Sequence, residues 1–548
     1  MSATPLKRCL AVFTLLVALA PTAVDAAPEV RFLFPAGAQR GQSVEVTAGG
    51  KFSIWPVTVQ VSRPGVEVSV LEDSGKLSVQ VADDASPGLY WLRLYDATGA
   101  APPKPFIVGP VSEVVENETN DAIAAAQAID LEGSAIAAAT VNGQLGQAGD
   151  VDVYALRAKA GQTLVADLDA HRELGSTVDA VLQLVSPDGF VYAQNDDQLG
   201  IDPRLAIEIP SDGVWYLRVF GFPATPTQAI RFAGNPTYVY RLTIGTAPFV
   251  DYTMPMASRA AASTELQLHG WNLPDALQQM TVKSADLSEI LVESPLLANS
   301  LQVPVLPGDV LLESEPNSRD APQEITLPSS VTGRMGEARD HDAFSFNTAA
   351  GEIIMAKIES RELGFDLDPV LELIDAEGKQ LVRVDDAGGS RDAELVHTAA
   401  ADGPLRLVVS DLHREGGPRF VYRLAVERGQ AEYRLKSDTH QVAVAPGGAA
   451  KVPIAVERLH GFKSEITVTV SGLPDGVTAA AVSSQGEGDT AAKVTLVLQA
   501  AADAQPVSAP VRILGQSGDA PEQQAIISVP GQAGTIDELW LTVTAKSE

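Results

Sequence analysis

The chain has 548 residues, 70 of them acidic against 39 Lys and Arg, for a formal net charge of -31. A surface this anionic repels nucleic acid and anionic lipid; it either attracts divalent cations or simply keeps an exported protein soluble. The single cysteine, Cys9, falls in the N-terminal leader, so the rest of the chain has no thiol, disulfide or cysteine-based metal chemistry.

Residues 1–26 read as a secretory signal peptide. Lys7 and Arg8 precede the apolar run "CLAVFTLLVALA", and the small residues Val24 and Ala26 suit cleavage after Ala26. Export to the periplasm, the cell surface or the medium is the expectation. Cys9 stands at the start of the apolar run instead of following it, which argues against lipid attachment. No later segment has the length of a membrane-spanning helix.

From residue 27 onward strand signals dominate. "SVEVTAGG", "KLSVQVADD" and "GLYWLRLYD" alternate apolar and polar residues within 27–110, and each ends in turn formers. The expected fold is all-β, a tandem array of β-sandwich domains. Residues 111–247 open with "ENETND" (Glu116 to Asp121) and run on through "VDVYALRAKAGQTLVADLDA". A short β-rich segment, 248–308, contains "TELQLHGWNL". Residues 309–429 open with "ESEPNS" (Glu313 to Ser318), and 431–548 contain "EITVTVSGLPDGV". "NDAIAAAQAI" predicts one short helical turn, with Asn120 or Asp121 as its cap.

The segments 111–247 and 309–429 are duplicates. Arg172 to Asp197 aligns without gaps to Arg361 to Asp386, with 11 of 26 positions identical. "DVDVYAL" matches "DHDAFSF" upstream, and "YVYRLTI" matches "FVYRLAV" downstream. A period above 100 residues marks a repeated domain and not a solenoid.

These two units resemble bacterial pre-peptidase C-terminal domains, jelly-roll-like sandwiches related to clostridial collagen-binding domains. The residues that carry the resemblance are "ENETND" and "ESEPNS", "GDVDVYAL" and "RDHDAFSF", "VDAVLQLVSPDG" and "LDPVLELIDAEG", and the closing "YRL". The flanking segments 27–110, 248–308 and 431–548 resemble immunoglobulin-like sandwiches. In the collagen-binding relatives the leading acidic cluster binds calcium with a following Asp pair. The resemblance therefore implies a first Ca2+ site at Glu116, Glu118, Asn120, Asp121, Asp150 and Asp152. It implies a second at Glu313, Glu315, Asn317, Asp340 and Asp342, where Ser318 replaces Asp121 and Phe344 replaces Tyr154.

The chemistry has its own logic. Glu116, Glu118 and Asn120 share one side of an extended segment, and Asp150 and Asp152 share the parity of Tyr154 and Leu156. Crowded carboxylates raise one another's pKa unless a cation neutralises them, and calcium takes six to eight oxygens. The competing reading is a solvated acidic linker ending in a helix cap. Calcium would pin an arm to the rim of each sandwich and stiffen the array into a rod.

Other features read as structure: hairpin turns at "PDG" (187–189) and "AEG" (376–378), a core Trp215, and loop acids at Asp196, Asp197, Asp385 and Asp386. None of the seven histidines forms a close metal pair, and there is no nucleophile elbow or P-loop. The function expected is that of an exported, non-catalytic binding or scaffold protein, calcium-stabilised, whose partner is an extracellular protein or polysaccharide. The alternative is an accessory component of a secreted peptidase or other hydrolase system.

Overall fold

The computed structural model describes residues 26–131, 135–223, 231–285, 287–518, 520–531 and 534–545. The expected signal peptide, Ala26 apart, lies outside them. Among the described residues no helix is long and apolar enough to cross a membrane.

The fold is β throughout, and the sheets come in facing pairs. Strands between Glu29 and Gly109 form two sheets around Val46, Leu77, Leu92 and Phe106. Strands between Phe249 and Leu306 form two three-stranded sheets around Leu266 and Val292. Strands between Glu432 and Val543 form two six-stranded sheets around Leu435, Leu496 and Leu541. In each pair the period-two alternation of the sequence places every second side chain in the shared core.

The duplicated segments share one topology. In the first, one sheet runs Ser112–Val115, Ala138–Gln144, Val239–Gly245, Thr163–Asp169, Arg204–Glu208. The other runs Gln127–Ala128, Asp152–Ala158, Gly213–Gly221, Ala180–Val185, Val191–Asn195. In the second, the counterparts Asp309–Leu312, Ser329–Arg334, Val421–Gly429, Ile353–Glu359, Glu394–Thr398 and Gln323–Glu324, His341–Thr348, Gly403–Asp411, Pro369–Ile374, Gln380–Val384 follow the same orders. Trp215 is buried, and its indole donates to Ser211 O at 3.1 Å. Gly189 and Gly378 close the hairpins with positive φ. Asp212 and Asp402 accept from Ala160 N–H (2.8 Å) and Ala350 N–H (2.7 Å), fixing equivalent turns.

The sandwiches preceding the two duplicates also correspond. Each begins with a strand bulged one residue after its start, at Val30/Phe32 and Val250/Tyr252, followed by a proline at 35 and 255. A short parallel pair comes next: Gly37–Gln39 with Lys104–Gly109, and Ser258–Arg259 with Leu301–Leu306.

The expected rod is corrected. Non-consecutive sandwiches touch: Arg40 pairs with Glu293 at 3.1 Å, Gln198 donates to Gly364 O at 3.4 Å, and Tyr95 packs on Trp540 with ring centres 4.8 Å apart. The array folds back because its joints are packed and charged instead of solvated. Arg204, on the first duplicate, and Arg419, on the second, both ion-pair Asp251 of the segment between them. Trp271 completes that joint, packed on Phe249 and flanked by both guanidinium groups.

Candidate metal centre

Each duplicate opens with an arm that crosses the end of its sandwich. In the first, Ser112–Val115 pairs in parallel with Ala138–Gln144, and Glu116 N–H donates to Asn142 O at 3.0 Å. The arm then passes to the opposite sheet, where Val153 N–H donates to Asn120 O at 3.1 Å. The second arm repeats this: Glu313 N–H donates to Thr332 O at 3.0 Å, and Ala343 N–H to Asn317 O at 2.5 Å. The arm's acidic side chains are thereby delivered to the mouth of the core, beside the first residues of the strands that begin at Asp152 and His341.

There the carboxylate oxygens of Glu118, Asp150 and Asp152 lie within 4.8 Å of one another, as do those of Glu315, Asp340 and Asp342. Asp121 adds its charge beside Glu118 and Asp150. Ser318 stands at its place in the second unit. Glu116 and Glu313 lie outside the two three-oxygen groups. They press instead against Asp152 and Asp342, and Glu116 is also held by Gln144 N–H at 2.8 Å.

The helix-cap reading of Asn120 and Asp121 is corrected. The helical turn is a 3-10 segment, Ile123–Ala125, with Ala122 at its cap and no side-chain capping bond. Asn120 is 0% exposed and Asn317 1% exposed, because each arm tucks that residue under its rim. Neither amide has a hydrogen-bond partner for its oxygen or nitrogen. Asp150 Oδ1, Asp152 Oδ1, Glu313 Oε2 and Asp342 Oδ1 are likewise buried and unpartnered. Buried polar atoms in this state cost roughly 1–3 kcal/mol each, so a cluster of them calls for a ligand. The donors are all hard oxygens, the set that calcium prefers; softer metals favour nitrogen or sulfur. The residues fit a divalent oxygen-seeking cation.

A tyrosine backs each site. Tyr240 O–H donates to Asp152 Oδ2 at 2.5 Å, and Tyr422 O–H to Asp342 Oδ2 at 2.6 Å. Tyr154 and Tyr240 hydroxyls are 2.6 Å apart, a contact the second unit lacks because Phe344 replaces Tyr154. Tyr240 reaches the aspartate across Gly143, its cross-strand partner. A Cβ there would collide with the tyrosine ring, and Gly333 stands in the same relation to Tyr422. These tyrosines lie in the repeated "YRL" motif, and its recurrence in both units is the signal in the sequence that marks them.

Burial, and then the carboxyl-to-carboxyl repulsion, raise the pKa of Glu116 above the usual carboxylate range, and burial raises Asp152. Burial and Glu313 push Asp342 up to about 9. Burial also raises Asp150 and Glu118, the latter helped by Asp150 and Asp121. Without a cation, then, each site stores carboxyls that resist ionisation.

Asp196 and Asp197 are exposed loop residues on the far side of the hairpin from Asp188, outside the oxygen cluster.

A Deinococcus radiodurans protein named as a probable subtilase-type serine protease is 35% identical over 74 residues, which is 14% of this chain and 10% of that protein. The chain thus spans about a tenth of the length of this relative. Among solved structures, the pre-peptidase C-terminal domain of a Bacillus anthracis collagenase covers 19% of this chain and 93% of its own length, at 17% identity and a TM-score of 0.15. A periplasmic inhibitor of g-type lysozyme from Aeromonas hydrophila covers 22% and 99%, at 12% identity and a TM-score of 0.17. Residues 150–221, which include Asp150 and Asp152 but not the acidic arm, match the bacterial pre-peptidase C-terminal domain, so the resemblance drawn from the sequence holds for that segment.

Proposed function

We propose that this chain is an exported, non-catalytic binding protein whose duplicated sandwiches are each fastened by a calcium ion. Glu118, Asp150 and Asp152, with the side-chain amide oxygen of Asn120 and the flanking Asp121, would hold the first ion. Glu315, Asp340, Asp342 and Asn317 would hold the second, with one carboxylate fewer. The observation that carries the reading is the pair of fully buried asparagine amides, Asn120 and Asn317, left without partners at equivalent places. When bound, calcium supplies charge neutralisation and ties the arm to the strand behind it. Glu116 and Glu313 are positioned to hold Asp152 and Asp342 from the rear.

The sandwich array offers broad sheet faces and loops to an extracellular protein or polysaccharide, and function on such a scaffold resides in local surface. A second reading, an accessory component of a secreted peptidase system, is favoured by the protease named above as a relative.

The test is calorimetry on the whole chain after chelation. Calcium is expected to give heat and a higher melting temperature, both diminished by Asp150→Asn and by Asp340→Asn. Absence of heat in the unsubstituted chain overturns the calcium reading. Matrix polymers and model peptides incubated with the chain are expected to be retained without turnover; release of product overturns the non-catalytic reading. Co-purification with a peptidase would favour the second.

A further inference from the structure

The duplicates differ sharply at one equivalent place. In each, the second strand of a hairpin forms the outer edge of its sheet: Val191–Asn195 in the first and Gln380–Val384 in the second. Both hairpins carry the same bulge, between Leu184 and Val185 and between Leu373 and Ile374. In the second unit the edge begins with Lys379 and Gln380 and carries Arg383, which pairs with Glu372 at 3.6 Å and Asp385 at 3.4 Å. Charged side chains of this kind keep a sheet edge from pairing with other chains.

The first unit lacks that basic guard. Phe190, Val191 and Tyr192 replace Lys379, Gln380 and Leu381, and they are 74%, 50% and 50% exposed. No Lys or Arg occurs between Glu173 and Pro203. Tyr192 is held in place edge-on against the buried Trp215, ring centres 5.4 Å apart, so part of the patch is preorganised. Exposed acids stand at both ends, with Asp188 in the turn and Asp196 and Asp197 after the strand.

We propose that this edge is a docking surface for an extended polypeptide segment of a partner protein, apolar at its centre and basic at both ends. The apolar triplet contributes contact area, and the flanking aspartates select the charge and accelerate encounter. A second copy of this chain is a poor occupant. Whichever way two such strands run, acidic end meets acidic end. The inference deepens the binding reading by naming one partner chemistry, and it does not involve the metal.

The experiment uses the whole chain and a fluorescein-labelled peptide with paired lysines at each end of a valine–threonine alternation. A twin peptide ends in paired glutamates. The basic peptide is expected to bind saturably, about tenfold more tightly than its acidic twin, and to weaken as salt rises. The variant Phe190→Lys/Val191→Gln/Tyr192→Leu copies residues that the second unit folds with, and Tyr192→Lys is a milder companion; both are expected to weaken binding about tenfold at unchanged melting temperature. Equal binding of the two peptides, or equal binding by wild type and both variants, overturns the proposal. So does a dimer, seen by light scattering, that the triple variant dissolves. A chain that ignores the peptide yet still retains a matrix polymer overturns this inference and leaves the binding reading standing.

Discussion

Tyr240 donates its hydroxyl proton to Asp152 across the sandwich, at 2.5 Å, from a strand of one sheet to a strand of the other. The bond joins the two sheets at the point where the acidic arm crosses between them. It also commits one oxygen of Asp152 inward and leaves the other, Oδ1, unpartnered. The second unit repeats the bond with Tyr422 and Asp342. A carboxylate held on one oxygen by a phenol is oriented before any ion arrives.

Replacing that phenol should therefore cost stability. Tyr240→Phe leaves a buried carboxyl oxygen and the Tyr154 hydroxyl short of a partner, a loss of about 1–3 kcal/mol. Tyr422→Phe disturbs only the Asp342 bond, since Phe344 has no hydroxyl to strand, and its loss should be smaller. Denaturant titration of the two variants checks the order.

The joint at Asp251 makes a larger claim. Arg204 Nη1 meets Asp251 Oδ1 at 2.8 Å, Arg204 also pairs with Asp167 at 2.5 Å, and Arg419 completes the cluster. Asp251→Ala takes the carboxylate partner from Arg419 and leaves Arg204 with Asp167 alone, and removal of one partner from a buried cluster of this kind costs about 3–5 kcal/mol. The expected outcome is a lower melting temperature and faster proteolysis at the joint. A variant as stable as the parent would show that the joint does not hold the array together.

Acid should loosen the contact between the first and last sandwiches. His440 lies there, and burial followed by the nearby Arg93 charge lowers its pKa from 6.5 to about 4. The unfolded chain takes up this proton below about pH 6.5, whereas the folded chain refuses it until about pH 4. This histidine therefore costs nothing above pH 6.5 and subtracts stability progressively as pH falls toward 4. Melting curves over that range should fall less steeply for His440→Asn than for the parent; identical slopes would contradict the assignment.

Trp540 is the largest group in that contact, packed on Tyr95 with the Arg93 guanidinium 5.2 Å from its ring centre, while Ala100 N–H donates to Gln441 nearby at 2.9 Å. Trp540→Ala should cost about 3–5 kcal/mol and enlarge the radius of gyration in solution scattering as the last sandwich swings free. Unchanged scattering would mean that other contacts suffice.

The sandwiches were legible because alternation is a local signal. Asp152, Tyr154 and Leu156 share a parity, and all three face the core side. The position of the acids followed from the same count. Asn120 was harder to read. Its burial depends on an arm crossing from one sheet to the other, which no periodicity records, so a surface cap competes with a metal site as a reading of "ENETND". Glu116 shares the parity of Glu118, yet the bond from Gln144 N–H turns it toward the rear of Asp152. Tyr240 required the register that sets it opposite Gly143, a long-range fact. The folded-back arrangement was invisible for a related reason: Asp251, Arg204 and Arg419 are far apart in sequence and ordinary in composition. The correspondence between the sandwiches around Pro35 and Pro255 rests on a bulge and a parallel pair, which leave little trace in residue identity.

The most direct measurement is an anomalous difference map from crystals of the whole chain grown with calcium. The account predicts a peak among the oxygens of Glu118, Asp150 and Asp152, a second among those of Glu315, Asp340 and Asp342, and the side-chain amide oxygens of Asn120 and Asn317 turned toward them. Well-ordered maps with no density at either cluster, in the presence of calcium, would contradict it.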